Sequence, residues 1–268
     1  MKLKIMDAKN VETGSVDMPI QFSEEVRTDL ISRAVLTAQA NARQPYGAYE
    51  LAGMRHSVDL SKRRRDHKTV YGKGASRTPK KVHSRNGTQM HLVGGNVPQA
   101  VGGRNAHPPK PAKIWDLKIN DDERKKAIRS ALAASVDKSI VASRGHKIPA
   151  SYPFILADDF QSIAKTNDFA AALLTLGFSD ELARTSVTKL RAGRGKMRNR
   201  RYKSATGPLF VVADACQASK AARNIPGVDV QIVAKLCVED LAPGAVAGRA
   251  VLFTNAAIAK IKEGKLFQ

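Results

Sequence analysis

The stretch PLFVVADACQASKAARNIPGVDVQIVA, residues 208–234, decides the fold class. PLFVVAD (208–214) opens with an apolar, β-branched run that would be buried on both faces, as in a sheet covered by helices. CQASKAARNIPG then holds a helix that stops at Gly227, and VDVQIVA (228–234) reads as a second strand. The alternation continues outward in both directions. FILADD (154–159) and AVLFTN (250–255) read as strands, VEDLAPG as a short helical turn and AAIAKIKEG as a final helix. NDFAAALLTLG and SDELARTSVTKL read as helices with Asn167 and Ser179 as caps. Nearer the N-terminus, RTDLISRAVLTAQANAR places Leu30, Ile31, Ala34, Val35 and Ala38 on one helical face. NDDERKKAIRSALAASVDKSIVASRG reads as one long helix, capped by Asn120, with Asp121, Asp122 and Glu123 at its positive end and Gly145 closing it. MKLKIMDAKN alternates lysines with apolar residues and reads as an edge strand. The expectation is an α/β fold: a mainly parallel sheet flanked by helices, with one very long basic extended loop.

That loop is residues 43–113, set between body segments 1–42 and 114–268. It shows no sustained period of 3.6 or 2. It carries fifteen Lys or Arg against three acids, a net +12 of the chain's +21, and five of the six histidines. Its stretch GGNVPQAVGGRNAHPPKPAK (94–113) has four glycines, four prolines and no acid. Glycine is entropically costly in regular elements and proline removes a donor, so neither helix nor strand is expected there. Tyrosines 46, 49 and 71 and the histidines interleave with arginines, a mixture suited to pairing with phosphates and stacking on bases. A second patch, KLRAGRGKMRNRRYK (189–203), has eight basic residues and no acid. Like charges this dense repel one another without a counter-surface. The candidate RNA-binding side chains are Arg43, Arg55, Lys62, Arg63, Arg64, Arg65, Arg85, Arg104, His107 and Lys110 in the loop. In the second patch they are Arg191, Arg194, Lys196, Arg198, Arg200 and Arg201.

The 268 residues have a 43% hydrophobic fraction, enough to bury a core. A pI near 10.2 points to a polyanionic partner, with nucleic acid ahead of a membrane surface. No apolar run approaches the roughly 20 residues needed to span a bilayer, and the N-terminus lacks a signal-peptide core, so the chain is expected in the cytosol without a membrane partner. A membrane-surface protein would need a basic amphipathic helix, which glycine and proline forbid in 43–113. Neither GRGKMR nor GKGASR follows a strand, and no phosphate-binding loop pattern is present. Cys216 and Cys237 have no ligand-spaced histidines and read as buried apolar residues. The strand ends offer Asp158, Asp159, Asp214 and Thr254, with no nucleophile, histidine or lysine clustered beside them, so capping is their expected role. No cofactor, metal or catalysis is expected. An RNA-modifying enzyme with a basic substrate-gripping loop is the alternative reading.

Six segments occur together in order: ARQPYGAYELAG, YGKGASRTPKKV, VGGRNAHPPKP followed by Trp115, LRAGRGKMRNRR, NIPGV and LAPGAVAGRAVLFT. In this combination the chain resembles the universal large-subunit ribosomal protein four family, from about Asn10 to the final helix. RNAHPPK and KMRNRR resemble its archaeal and eukaryotic branch, and the absence of a long tail after the last helix points to an archaeal member. The resemblance implies a structural, non-catalytic protein of the large ribosomal subunit, in the cytoplasm. It would bind large-subunit rRNA, touch neighbouring ribosomal proteins and support assembly. Its α/β body would lie on the subunit's outer surface. Its loop would thread through rRNA to the wall of the exit tunnel and meet the nascent polypeptide there. The returning limb, 94–113, would then be shaped by RNA rather than by a protein core. The resemblance places the loop tip near Tyr71–Val82, with Tyr71, Lys73, Arg77, Lys80 and Lys81, whereas SKRRRDHK (61–68) departs from the family's less basic pattern. Roughly 35 residues each way at about 3.3 Å give a reach of at most about 115 Å.

Overall fold

In the computed structural model, which describes residues 1–58, 60–66, 69–72, 74, 76–87 and 89–268, the chain separates into two units: Met1–Ala42 with Asp116–Gln268, and Arg43–Trp115. Strands β1 (Lys2–Met6) and β2 (Glu12–Asp17) and helix α1 (Thr28–Asn41) open the first unit. Strands β3 (Lys80–Asn86) and β4 (Gln89–Gly94) belong to the second. The chain re-enters the first unit with α2 (Asp121–Val136), α3 (Lys138–Ser143), β5 (Ile155–Leu156), α4 (Thr166–Thr175) and α5 (Ser179–Ser186). A short pair, β6 (Lys189–Leu190) and β7 (Tyr202–Lys203), follows. The remainder is β8 (Leu209–Val212), α6 (Gln217–Arg223), β9 (Asp229–Ile232), α7 (Val238–Leu241), β10 (Val251–Phe253) and α8 (Asn255–Glu263).

The fold is mixed α/β. Two three-stranded sheets, ordered β2-β1-β5 and β10-β8-β9, meet at a parallel bridge between Leu156 and Thr254. A mainly parallel sheet is not what forms. Among the described strands the parallel pairs β1–β5, β8–β9 and β8–β10 are matched by the antiparallel pairs β1–β2, β3–β4 and β6–β7. The reason is local. Only the strands joined through helices can run parallel, whereas short connections force antiparallel return. Asn10, at φ 62°, closes the turn from β1 to β2, with Asp7 N donating to Val11 O at 3.0 Å. For the same reason β1 is not an edge strand: it lies between β2 and β5.

The first unit's core follows from residue alternation. Leu209 and Val211 of β8, with Val251 and Phe253 of β10, join a cluster containing Ile31 and Val35 of α1, Ile128 and Leu132 of α2, and Ile258 and Ile261 of α8. Phe210, Val212 and Leu252 face the opposite side and join Phe169 and Leu173 of α4, Ala218 and Ala222 of α6, Phe160 and Phe178. Successive side chains point to opposite faces, so strands that are apolar at every position are covered twice. Phe169 packs edge-on to Phe210 at 5.1 Å and to Phe160 at 6.1 Å. Burying each such side chain contributes about 1.5–3 kcal/mol.

The single helix expected over 120–145 is two helices. Asp137 leaves helical geometry (φ −80°, ψ 110°), and its carboxylate caps α3 by accepting from Ser139 N at 2.8 Å. An acid that can bond its own downstream backbone competes with helix continuation. Asn120 occupies the cap position of α2 without a side-chain bond. Asn167 and Ser179 fall inside α4 and α5 instead of capping them.

The second unit contains a hairpin that the sequence reading missed. β3 and β4 pair from Lys80–Gly94 to Asn86–Gln89, with Gly87 at φ 56° in the turn. Asn-Gly is a strong hairpin signal, but apolar alternation is confined to Met90 and Leu92 in β4, and β3, KKVHSRN, has a single apolar residue, so the pair did not stand out. The returning limb has protein partners of its own. Ala48 N donates to Pro109 O at 3.1 Å, and a Cβ on Gly47 would stand 2.4 Å from Pro111 N. Gly95 N donates to Pro79 O at 2.7 Å, and a Cβ there would meet Val58 at 2.5 Å. These glycines permit backbone approaches closed to any other residue.

Candidate nucleic-acid interface

The 189–203 patch is a folded hairpin. Leu190 pairs with Tyr202, and Arg191 N donates to Arg201 O at 2.8 Å. Gly193 (φ 74°) begins a 3-10 turn, Gly193–Arg198, and Asn199 (φ 60°) ends it in left-handed geometry. Arg191 lies across Gly195, where a Cβ would meet its Cδ at 2.8 Å, and its guanidinium donates to the carbonyls of Arg200 (3.2 Å) and Tyr202 (3.3 Å). Arg191 therefore shapes the hairpin. Arg194, Lys196, Arg198, Arg200 and Arg201 are exposed, and none enters an ion pair among the described residues. Leu190, Met197 and Tyr202 are exposed beside them.

This hairpin leaves α5 from a buried node. Glu181, fully buried, accepts from Arg184 Nε at 2.8 Å and Nη2 at 2.6 Å, and from Lys147 N at 2.9 Å. It also meets His146 Nδ1 at 2.6 Å. Burial opposes ionisation of Glu181, but the bonds from Arg184, His146 and Lys147 outweigh it and hold the carboxyl at about 2. Arg184 Nη2 also donates to Thr206 O at 2.7 Å, which fixes the segment where the hairpin returns to β8.

In the second unit Arg43, Arg55, Lys62, Arg63, Arg64, Arg65, Arg85, His107 and Lys110 are exposed, and Arg104 is half-buried. Arginines cover aromatic rings at several points: Arg55 lies 4.2 Å from the Tyr49 ring centroid, Arg77 4.9 Å from Tyr71, and Arg43 4.1 Å from Trp115. Such stacking keeps the guanidinium edge available for phosphate while the face is shielded. Lys81 is exposed at the start of β3, whereas the Lys80 ammonium folds back onto the carbonyls of Ser76 and Thr78. Lys73 lies outside the described residues. The sequence reading missed Trp115 as a site residue. Tyr46 stacks on it at 5.2 Å, and Lys113 Nζ stands 4.1 Å from its ring. Only the arginine–aromatic interleaving near residue 46 hinted at that cluster.

Two of the strand-end acids, Asp158 and Asp214, are engaged in structure. Asp158 Oδ1 accepts from Ala256 N and Gln161 Nε2, both at 2.9 Å, and Asp214 pairs with Lys260 at 2.7 Å. Among the described residues, no group of three His, Cys, Asp or Glu could hold a metal, and no helix is long and apolar enough to cross a membrane. Cys216 is half-buried and Cys237 exposed, so the expectation of two buried cysteines does not hold; Cys237 Sγ instead bonds Asp240 at 3.0 Å.

The model of the Ribosomal protein L4/L1 family matches residues 16–264. The chain belongs to that family. Its relatives include large ribosomal subunit protein uL4 of Nanoarchaeum equitans, 44% identical over 268 residues and all of both chains. The uL4 proteins of Halobacterium salinarum (40% over 266 residues) and Haloarcula marismortui (39% over 264 residues) each match 98% of this chain and all of their own length. Within the matched range lies LAPGAVAGRAVLFT, residues 241–254. Arg249 is buried, with Nε donating to Gly207 O at 2.9 Å and Nη1 to Asp240 O at 2.8 Å, and it pairs with Asp229. It ties the entry of β8, α7 and the start of β9 to β10. Gly248 (φ 92°) passes so close to Ile140 that a Cβ would lie 2.7 Å from its side chain.

Proposed function

We infer that this chain is a structural component of the large ribosomal subunit, that it binds large-subunit rRNA and supports subunit assembly, and that it catalyses no reaction. The observation that carries this is its match to uL4 relatives over 98–100% of its length. The α/β body, 1–42 and 114–268, docks on rRNA through Arg194, Lys196, Arg198, Arg200 and Arg201. The excursion 43–113 threads through rRNA as an extended basic loop, with Arg43, Arg55, Lys62, Arg63, Arg64, Arg65, Arg85, Arg104, His107 and Lys110 on phosphates. Its tip, Tyr71, Lys73, Arg77, Lys80 and Lys81, lines the exit tunnel and meets the nascent polypeptide, and neighbouring ribosomal proteins complete the setting. Support comes from the +12 carried by 43–113, the exposure of most of its described cations and the arginine–aromatic stacks. Arg191 belongs to the hairpin's own framework, so its replacement acts through shape.

The test is the salt dependence of binding to a large-subunit rRNA fragment. Each phosphate contact contributes about 0.7 to 0.9 to the slope of log K against log salt. Replacing Arg194, Lys196, Arg198, Arg200 and Arg201 with alanine should flatten that slope by several units. An unchanged slope would mean that the hairpin is merely solvated.

A further inference from the structure

The second unit holds a cavity of about 650 Å³, a size that suits a small ligand. The stacked rings of Tyr46 and Trp115 line it, as does the Pro108–Pro109 ridge, and Asn105, His107, Lys110 and Lys113 complete the site. Tyr46 remains 52% exposed even with Trp115 stacked on it and the Arg43 guanidinium 5.4 Å from its ring centroid. The ridge is held in place by the protein itself, through the bond from Ala48 N to Pro109 O and the close approach of Gly47 to Pro111.

Each lining group matches one part of a nucleotide. Aromatic and prolyl faces accept a flat heterocycle whatever its identity. The Asn105 amide offers both a donor and an acceptor for a base edge, and His107 adds a ring nitrogen. Two lysines lie within the lining to meet a phosphate, the Lys113 ammonium from its position 4.1 Å from the Trp115 ring. An acidic peptide would leave the aromatic wall uncovered. An apolar side chain would bury the amide and lysines without partners. No carboxylate lines the cavity among the described residues, which disfavours a cation.

We propose that this cavity receives one unstacked nucleobase of the bound RNA, laid on Tyr46 with its phosphate at Lys110 and Lys113; the identity of that RNA rests on the rRNA reading above. Trp115 is the only tryptophan in the chain, so its fluorescence reports this site alone. The experiment titrates the full-length protein with 5′-AMP, using red-edge excitation, beside ribose 5-phosphate and inorganic phosphate. Saturable quenching by AMP, with no response to the two base-free probes, is expected. Tyr46→Ala should weaken AMP about 5- to 100-fold. Because that change also removes a packing partner of Trp115, Asn105→Ala, an exposed substitution, provides a second variant and should weaken AMP about 5- to 10-fold. No saturable quenching, equal quenching by ribose 5-phosphate, or AMP affinity unchanged in both variants would overturn the proposal. Binding of the rRNA fragment, measured in parallel, separates the two readings. If the fragment binds and AMP does not, the pocket alone is refuted; if the fragment fails to bind, the rRNA reading falls whatever AMP does.

Discussion

Replacing Glu181 with glutamine keeps the shape of the buried node below the basic hairpin and removes its charge. The Glu181 carboxyl sits at about 2 against an ordinary 4.5. At about 1.4 kcal/mol per pH unit, that gap makes ionised Glu181 worth about 3 kcal/mol to the folded state. The folded value lies below the unfolded one, so this stability is fully present above pH 4.5 and is lost as the pH falls toward 2. The other carboxylates titrate as well, so the informative quantity is the difference between wild type and Glu181→Gln. Urea unfolding followed by far-ultraviolet circular dichroism should give a gap of about 3 kcal/mol at pH 7, shrinking to a small remainder near pH 2. The side chain is fully buried, so solvent screening does little to reduce it. A gap absent at pH 7, or one that stays constant down to pH 2, would refute the claim that charged hydrogen bonds hold this node.

Arg249→Leu removes a buried guanidinium from two backbone carbonyls and from the exposed carboxylate of Asp229, and should cost about 1–3 kcal/mol in the same unfolding assay, the range for leaving buried acceptors unpaired. A loss under 1 kcal/mol would show that the guanidinium is dispensable there. Gly47→Ala forces a Cβ to within 2.4 Å of Pro111 N, so the limbs must part, at about 1–3 kcal/mol of local strain. Faster amide exchange at Ala48 and altered Trp115 emission should follow, with the unfolding midpoint of the first unit unchanged, because neither of its core clusters draws on residues 43–115.

The helix–strand alternation from Phe154 to Gly264 was legible because β8 and β10 are apolar at every position and each face has a helix to cover it. Strand β2, ETGSVD, was not, since it has one apolar residue and is exposed along most of its length. Its pairing depends on the turn at Asn10, and with it went the expectation that β1 lies at an edge. The break at Asp137 was missed because a helix period continues through Ser135 to Ile140; only the side-chain bond to Ser139 shows which geometry wins. The two basic stretches were readable from charge density alone, since like charges this dense stay at the surface whatever the fold around them. Two features were beyond reach. Glu181 looks like any acid on an amphipathic helix until His146 and Arg184 are seen around it. Tyr46 and Trp115 sit at opposite ends of the excursion and meet only because Gly47 and Pro111 bring the limbs together.

The most direct measurement of the central claim is sedimentation of the tagged chain through a sucrose gradient after a high-salt wash of separated ribosomal subunits. A structural component docked by the 189–203 hairpin and threaded by residues 43–113 should remain with the large subunit at one copy each and be absent from the small subunit. Release of the chain to the top of the gradient, or equal recovery with both subunits, would contradict the account.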